Sequence, residues 1–591
     1  MLSSEIKRPG PEDGTDKALG VKGDGPSDVE KLETTNSVLA SAGTVADDQQ
    51  GLELLERAPR SAIEFDTEAT RPRSKIRVVA VMCALFATIC IVALNQTIVA
   101  TAIPTISSQL KSASGYAWIG GAYLLANAAA SPVWAKLSDI WGRKPILLVA
   151  VGMYFITSII CATSASMKML IIGRACQGTA GGGLSQLVNI IVSDLFSLRQ
   201  RGLYMGLVGF IWAVAGASGP LLGGVLTEFI SWRWIFWINL PISGTAFLLL
   251  FFFLDVHNPR TPLVVGIKAV DWFGTVTILG LMVMLLLGLD FGGAAFPWKS
   301  PTVIGLIVAG GCMGGFFLWS QKSLAKYPLM PLGVFRSRSN VACLLIAFFH
   351  DFVNFATEYY FPLFFQSVLS ASPLRSGILL LPVILTETLT SILSGLTIHR
   401  TGAYRPLIYV GTILLVIGTS LYTNISATSS IASIVGFEII AGLGAGLLFS
   451  PPLIALQVNV RQEDTATATS TMGFMKKVAT CLSVVVGGVI FQNGMEDRSK
   501  DLINAKLDPN ITSVLTGSQA AANILLVGTI EDPVKQMIVK QAFAGSIRLI
   551  WILCAVMAGC AVLCSAFVKR KELSDDHVAT KTGLSDQKEG E

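Results

Sequence analysis

The chain has 591 residues, of which 52% are hydrophobic and 14% are charged, and its mean hydropathy is +0.62. Soluble domains carry about 25% charged residues, so this composition excludes an ordinary soluble protein and predicts a polytopic all-α membrane protein. The net charge of +5 is too small to favour nucleic acid as a partner.

The first 75 residues are polar and rich in Gly, Ser, Thr, Asp and Glu, which predicts a disordered cytoplasmic tail. The first apolar run begins near Val78, so we expect no cleavable signal peptide. All ten cysteines fall in apolar runs and none forms a CxxC motif. We therefore expect neither disulfides nor a metal site.

Fourteen apolar runs follow the tail, each about twenty residues long, as a helix that spans a bilayer requires. We expect an N-terminal six-helix bundle at 76–256, a linker with two extra transmembrane helices at 257–340, and a C-terminal six-helix bundle at 341–568. The last bundle should include an external loop at 492–543, and a cytoplasmic tail should follow at 569–591. The runs begin near residues 77, 116, 146, 169, 204, 234, 273, 301, 341, 377, 407, 431, 471 and 544.

Lysine and arginine concentrate in every second connection between these runs, which places both termini and those connections in the cytoplasm. The long loop at 492–543 is then external. It contains the sequence Asn510-Ile-Thr512, so Asn510 is a predicted glycosylation site.

Charge and glycine are concentrated in the short connection between the second and third runs. Asp139, Gly142, Arg143 and Lys144 fit a tight cytoplasmic hairpin, in which glycine permits the reversal and the cations meet the membrane face. A related hairpin follows downstream around Gly402, and each has a small residue seven positions before its glycine. Two related hairpins predict two pseudo-symmetric halves.

The fifth run repeats small residues every four positions, which places Gly219 and Gly223 on one ridge and Pro220 and Gly224 on the next. Such ridges permit close approach of a partner helix, and proline permits a bend. We expect a helix that lines an alternately opening cavity. Plain helix packing would explain the ridges equally well.

Ionisable residues inside the ninth and tenth runs are the sharpest functional signal, because charges are costly within a membrane and usually face a cavity or a partner. Asp351, Asn354 and Glu358 lie on one helical stripe, and Asp351 and Glu387 both lie roughly 15 Å deep. Two carboxylates at one level cannot both ionise easily, which suits proton exchange. The alternative is a static hydrogen bond between helices.

Several motifs together resemble signatures of the major facilitator superfamily. The hairpin at 135–145 resembles its inter-span signature, with Ala135 where the family usually has Gly. The runs at 173–183 and 215–224 resemble its fourth-span signature and its fifth-span signature of antiporters. The segments 94–104 and 231–241 narrow the resemblance to fourteen-span drug:proton antiporters of the fungal multidrug and mycotoxin efflux type. The similarity extends over residues 75–570.

The resemblance implies the major facilitator fold and a paired arginine and aspartate, but this chain has Asn95 where the family usually has Asp. We expect Arg174 to meet Asn95, and proton coupling to use other groups. Candidates for coupling are Asp351, Glu387, Glu358, His350 and Glu438. Glu438 stands four residues before Gly442, as Arg174 stands four residues before Gly178. Candidates for the substrate cavity are Asn95, Arg174, Gln177, Asn354 and Tyr359.

The ninth run is rich in Phe and Tyr and carries acids, so lipophilic neutral or cationic substrates fit it better than polyanions. Lys476 and Lys477 are interpreted as snorkelling near the inner end of the thirteenth helix. No Walker loop or nucleophile motif is present, so an ion gradient would drive transport, without catalytic residues or cofactor.

We expect a monomeric exporter that exchanges toxic lipophilic compounds for protons and contacts membrane lipid. The plasma membrane is its expected location, with the vacuolar membrane as the alternative. Two other functions stay open: uptake of a small molecule such as a siderophore, as related fourteen-span proteins perform, and a receptor that binds without transport. An enzyme is the least favoured reading.

Overall fold

The computed structural model of the chain describes residues 75–573 except 100, 101, 111–115, 257, 258, 260, 293–295, 331, 506, 517–519 and 522. The predicted disordered N-terminal tail lies outside the described residues, as does the C-terminal tail from residue 574 onwards. The described chain is mostly helical and contains no β-strand.

Fourteen helices of 15 residues or more occur in the described chain, and we number them α1 to α14. The first six are α1 (Lys75–Ile98), α2 (Tyr116–Trp141), α3 (Arg143–Ala162), α4 (Met167–Leu195), α5 (Leu198–Phe229) and α6 (Asn239–Phe253). The middle pair is α7 (Trp272–Phe291) and α8 (Pro301–Ser323). The last six are α9 (Arg338–Ser367), α10 (Pro373–Thr401), α11 (Arg405–Tyr422), α12 (Ile431–Leu448), α13 (Thr465–Asp497) and α14 (Pro533–Ser565).

Twelve of these helices are long and apolar enough to cross a membrane. For α6 this span includes the short helix Trp234–Trp237 that precedes it. The other two, α2 and α4, have 26 and 29 residues but carry charged side chains such as Asp139, Arg174 and Asp194. The prediction of a polytopic helical membrane protein is confirmed. The count of fourteen spans stays a prediction.

The two bundles are built on matching glycine contacts. In the N-terminal bundle α4 packs on α2, and a Cβ added at Gly178 would overlap the backbone of Tyr123. In the C-terminal bundle α12 packs on α10, and a Cβ added at Gly442 would approach the carbonyl oxygen of Val383. Small residues allow such contacts between membrane helices. Because the contacts recur at corresponding places, they confirm the predicted pseudo-symmetry.

Both predicted hairpins turn at a glycine with positive φ. Gly142, between α2 and α3, has φ of 92°, and Gly402, between α10 and α11, has φ of 68°. L side chains rarely adopt this conformation, so glycine is needed at both turns. We call the end of the helices that carries these two turns the hairpin end.

The bundles touch each other at the hairpin end. A Cβ added at Gly395 of α10 would overlap the backbone of Gly202 in α5. Ala135 of α2 packs with Ala466 of α13 in a small buried cluster. These are pseudo-symmetric contacts, because Gly395 and Ala135 are the small residues that stand seven positions before Gly402 and Gly142.

Polar groups add to this contact between the bundles. Gln457, in the short helix Pro451–Gln457, accepts a hydrogen bond from Nη1 of Arg201 at 3.2 Å and donates one to Oγ of Ser193 at 2.8 Å. All three side chains are buried. Side chains of both bundles are therefore interlocked at this end.

The helices α7 and α8 form a pair beside the bundles. Asp271 caps α7 by accepting a hydrogen bond from the backbone N–H of Gly274 at 2.7 Å, and its other carboxylate oxygen accepts one from Nε2 of Gln321 in α8 at 2.6 Å. Ile278 and Met282 of α7 share a buried apolar cluster with residues of α2 and α13. The inserted pair is thus attached mainly through α7.

The segment between α13 and α14 is shorter than the predicted loop 492–543, since α13 ends at Asp497 and α14 begins at Pro533. Polar residues continue both helices beyond their apolar parts, where hydropathy gives no signal. Residues 498–532, which we call the cap, bury Leu502 and Val527 in the core of the C-terminal bundle. Asn510 lies in the cap helix Pro509–Val514, and its glycosylation stays a prediction.

The close contact of α5 with α1 predicts that Gly219 cannot be enlarged. A Cβ at Gly219 would overlap the side chain of Thr97, whereas one at Gly224 on the same helix meets nothing within 4 Å. We expect Gly219→Ala to destabilise the protein by about 1–3 kcal/mol, as overpacking typically does. Thermal unfolding of detergent-purified protein would measure this, with Gly224→Ala as the control. Equal melting temperatures for the two variants would contradict the close contact.

Candidate functional site

Arg143 is the centre of a charge cluster at the hairpin end. Its side chain is 2% exposed; Nε donates to Oδ2 of Asp194 at 2.8 Å, Nη1 donates to Oγ of Ser138 at 2.8 Å, and Nη1 also pairs with Asp139. Lys144 lies with its ammonium group 5.8 Å from the ring centre of Phe251. Arg143 therefore ties the hairpin to the end of α4, and Lys144 lies beside α6.

The sequence motifs do not single out Asp194, although its carboxylate is the partner of Arg143. The available signal was an acid in the last turn of an apolar helix, which needs a cationic partner once it is buried.

Arg174 and Asn95 are in contact, as the sequence analysis expected. Nη1 of Arg174 donates to Oδ1 of Asn95 and, at 2.9 Å, to Oε1 of Gln177, while Nε donates to the carbonyl oxygen of Ile119 at 3.0 Å. The guanidinium carbon lies 4.3 Å from the ring centre of Tyr123. The charge is thus held by oxygen acceptors and an aromatic face, and no carboxylate among the described residues pairs with it.

The Arg174 network continues into the interior of the N-terminal bundle. Gln177 donates to Oγ of Ser158 at 2.8 Å, and Asn239 of α6 lies 3.5 Å from the same oxygen. Asn95, Arg174 and Gln177 are enclosed in this conformation. Their role as lining of the substrate cavity stays a prediction.

Asp351 on α9 pairs with Lys476 on α13. The ammonium nitrogen lies 3.1 Å from Oδ1 of Asp351, and Nδ1 of His350 lies 3.3 Å from the same oxygen. The side chains of Asp351 and Lys476 are 15% and 22% exposed. His350 is buried, and its Nε2 lies 3.0 Å from the carbonyl oxygen of Ala445 in α12.

The interpretation of Lys476 as a snorkelling residue was wrong. We placed the start of this helix near residue 471, but it begins at Thr465, so Lys476 lies roughly 16 Å along α13 from the hairpin end. The first turns consist of Thr, Ala and Ser, which form helix without contributing to an apolar run.

Asn354 joins two carboxylates from neighbouring helices. Its Nδ2 donates to Oε1 of Glu358 at 3.3 Å and to Oε1 of Glu387 on α10 at 3.2 Å. All three side chains are partly buried. Depth alone predicts that Glu387 lies level with Asp351; the structure joins Glu387, through Asn354, to Glu358, which lies one turn beyond Asn354 on the same stripe.

The two remaining candidates lie apart from this cluster. Glu438 is fully buried in α12, and neither of its carboxylate oxygens has a hydrogen-bond partner among the described residues. Tyr359 is 56% exposed on α9, beside Tyr360. Their roles in coupling and in substrate binding stay predictions.

Lys477, also read earlier as snorkelling, extends across to the other bundle. Its ammonium nitrogen lies 5.5 Å from the ring centre of Trp212 on α5, and the ammonium nitrogen of Lys476 lies 5.2 Å from the ring centre of Phe449. Lys477 and Trp212 lie roughly 18 Å and 21 Å along their helices from the hairpin end. Both therefore lie several turns from the hairpin end of their helices.

The described residues thus bring three acids, two lysines and an amide together near the middle of the helices. Within that part of the chain, no group of His, Cys, Asp and Glu has the arrangement of a metal site. Such a cluster can hold and release protons and can bind polar groups of a small molecule; it lacks the activated nucleophile that covalent catalysis needs.

Comparison with known proteins gives consistent matches along the chain. The family model described as Major Facilitator Superfamily matches residues 85–484. The chain is 42% identical to the "Efflux pump dotC" of Dothistroma septosporum, over 88% of this chain and 89% of that protein. It is 41% identical to the "MFS-type transporter ppz2" of Metarhizium majus, over 88% of this chain and 90% of that protein.

A solved structure with the same architecture is that of the human organic anion transporter MFSD10. It has a TM-score of 0.51 and 16% sequence identity, over 80% of this chain and 99% of that chain. At this identity the likeness concerns the fold alone.

The ion pair between Asp351 and Lys476 predicts a non-additive effect on stability. Asp351→Asn or Lys476→Met alone leaves a partly buried charge without its partner, which should cost about 1–3 kcal/mol. The double variant removes both charges and should be less destabilised than the sum of the single variants. Thermal unfolding of the four proteins would measure the coupling. Additive effects would contradict a stabilising pair.

Proposed function

Since this chain belongs to the major facilitator superfamily, we propose that it exports lipophilic toxic compounds, such as drugs, fungicides or mycotoxins, in exchange for protons. Family membership makes it a membrane transporter of small molecules and not an enzyme. Relatives named "Efflux pump dotC" and "Efflux pump FUS6" support the outward direction. The plasma membrane is the proposed location.

The proton-coupling part rests on one observation, the carboxylates of Glu358 and Glu387 held by the amide of Asn354. Two carboxylates held by the same amide repel each other when both are ionised, so the pair favours a shared proton. The N-terminal bundle has Asn95 beside Arg174, and an amide cannot carry a proton. The C-terminal bundle is therefore the proposed site of coupling.

Alternating access is proposed to occur at the contact between the bundles. With the hairpin end in the cytoplasm, as the positive-inside rule predicts, the contact of Gly202 with Gly395 closes the cytoplasmic side. Loading from the cytoplasm then requires these helices to separate. Protonation of the carboxylates from outside would bias the return to this loading state.

The direction of transport is tested with oriented membrane vesicles. An exporter accumulates substrate in inside-out vesicles when a pH gradient is imposed, and an importer accumulates it in right-side-out vesicles. Ligand binding without flux in either orientation would indicate a receptor. Deletion in the native host, followed by susceptibility testing against unrelated toxic compounds, would identify substrates.

The carboxylate pair predicts that exchange and uphill export can be separated. Glu387→Gln removes the shared proton, so substrate exchange in proteoliposomes should persist while export driven by a pH gradient falls. We expect a fall of at least about tenfold, since a positioned proton-transfer group typically contributes more than that to a rate. Glu496→Gln, at an exposed position near the end of α13, serves as the control.

Asn95→Asp should be tolerated, because Arg174 would stabilise the new carboxylate.

Full gradient-driven export by both Glu387→Gln and Glu358→Gln would contradict this assignment. Coupling would then move to Asp351, His350 or Glu438, each of which can be replaced in the same assay.

A further inference from the structure

Lys477 is a cation several turns inside α13 that faces the opposite bundle. Its side chain is partly buried and extends from α13 to the ring of Trp212 on α5, so it lies between the two bundles and not towards lipid. The neighbouring Lys476 points instead to α9 and its acid. The two adjacent lysines therefore have different surroundings.

No acid neutralises Lys477 directly. Among the described residues no carboxylate oxygen lies within 4.0 Å of its ammonium group. Asp351 is engaged with Lys476 and His350, and the Glu358 and Glu387 carboxylates both accept from Asn354. On the facing helix, Trp212 supplies an aromatic ring and no charge.

The ring compensates only part of the cost of this position. A cation over an aromatic face gains about 0.5–2 kcal/mol, whereas an ammonium group taken out of water loses several kcal/mol. A cation that remains between moving halves without an anionic partner is therefore well placed to receive an anion from outside the chain.

We infer that Lys477 binds an anionic group of the transported compound, and that the preferred substrates are lipophilic aromatic acids carrying a carboxylate or a phenolate. This inference deepens the proposed function and rests on it. The anion would pair with the ammonium group of Lys477, while the apolar rings of the compound pack against Trp212 and Phe449. It replaces the expectation of neutral or cationic substrates, which rested on the aromatic and acidic side chains of the ninth run.

Three anthracenes with small substituents of different charge at position 9 provide the test: 9-anthracenecarboxylate, 9-anthracenemethanol and 9-anthracenemethylamine. Binding to the purified full-length protein in detergent is followed by titration of anthracene fluorescence. We expect the acid to bind the wild-type protein more tightly than the alcohol, and the amine to bind most weakly. Equal binding of all three, or preference for the amine, would overturn the inference without reference to any variant.

Variants then assign the preference to Lys477. Lys477→Met should lower affinity for the acid on the order of tenfold, as expected for one hydrogen bond to a charged group, and leave affinity for the alcohol unchanged. Lys477→Arg should keep the preference, and Lys326→Met, at a lysine outside the helices, is the matched control. All titrations use the same micelles, so partition of each ligand cancels between variants, and partition into protein-free micelles is measured to correct the comparison between ligands. Unchanged acid binding by Lys477→Met, or loss of preference in Lys477→Arg as well, would overturn the assignment.

These titrations need no gradient and no flux. If the acid preference holds while gradient-driven export fails, the proposed function is wrong and the binding site stands. If export of the neutral anthracene persists while the acid preference is absent, only the present inference is wrong.

Discussion

Close approach of helix backbones is the constraint on which this structure depends. Within a membrane, apolar side chains gain little by leaving lipid, so helices associate through packing and polar contacts. Glycine supplies the packing here: Gly178 and Gly442 bring helices together inside each bundle, and Gly202 and Gly395 bring the bundles together. The same residue type thus makes both the contacts inside each bundle and the contact that we propose opens during transport. Buried polar networks accompany both kinds of contact, that of Arg174 inside the N-terminal bundle and that of Gln457 between the bundles.

Much of the fold could be predicted because its signals are local. Apolar length gave the positions of the helices, and glycine between charged residues gave the turns at Gly142 and Gly402, whose positive φ values confirm the interpretation. The prediction was poorest where helices leave the apolar layer. The start of α13 at Thr465 and of α14 at Pro533 carries polar residues, so helix propensity continues where hydropathy has ended.

The candidate site could be predicted only in part, because pairing depends on how each helix is rotated towards its neighbours. The stripe of Asp351, Asn354 and Glu358 follows from helical periodicity, and the contact of Arg174 with Asn95 follows from family motifs. The pairing of Asp351 with Lys476 could not be predicted, since an error of six residues at the start of α13 placed Lys476 too close to the end of the helix. Periodicity shows which residues share one face of a helix, but it does not show which face of the neighbouring helix they contact.

The cap makes one region of this protein suitable for imaging. α13 and α14 have 33 residues each, about 50 Å of helix, which exceeds the roughly 30 Å of a hydrocarbon core. Their ends, with the buried Leu502 and Val527 between them, form a packed projection that belongs to the C-terminal bundle. An antibody fragment bound there would move rigidly with that bundle and leave the space between the bundles clear. It would add a fiducial mark for particle alignment, and its tilt in different particles would report the rotation of one bundle against the other.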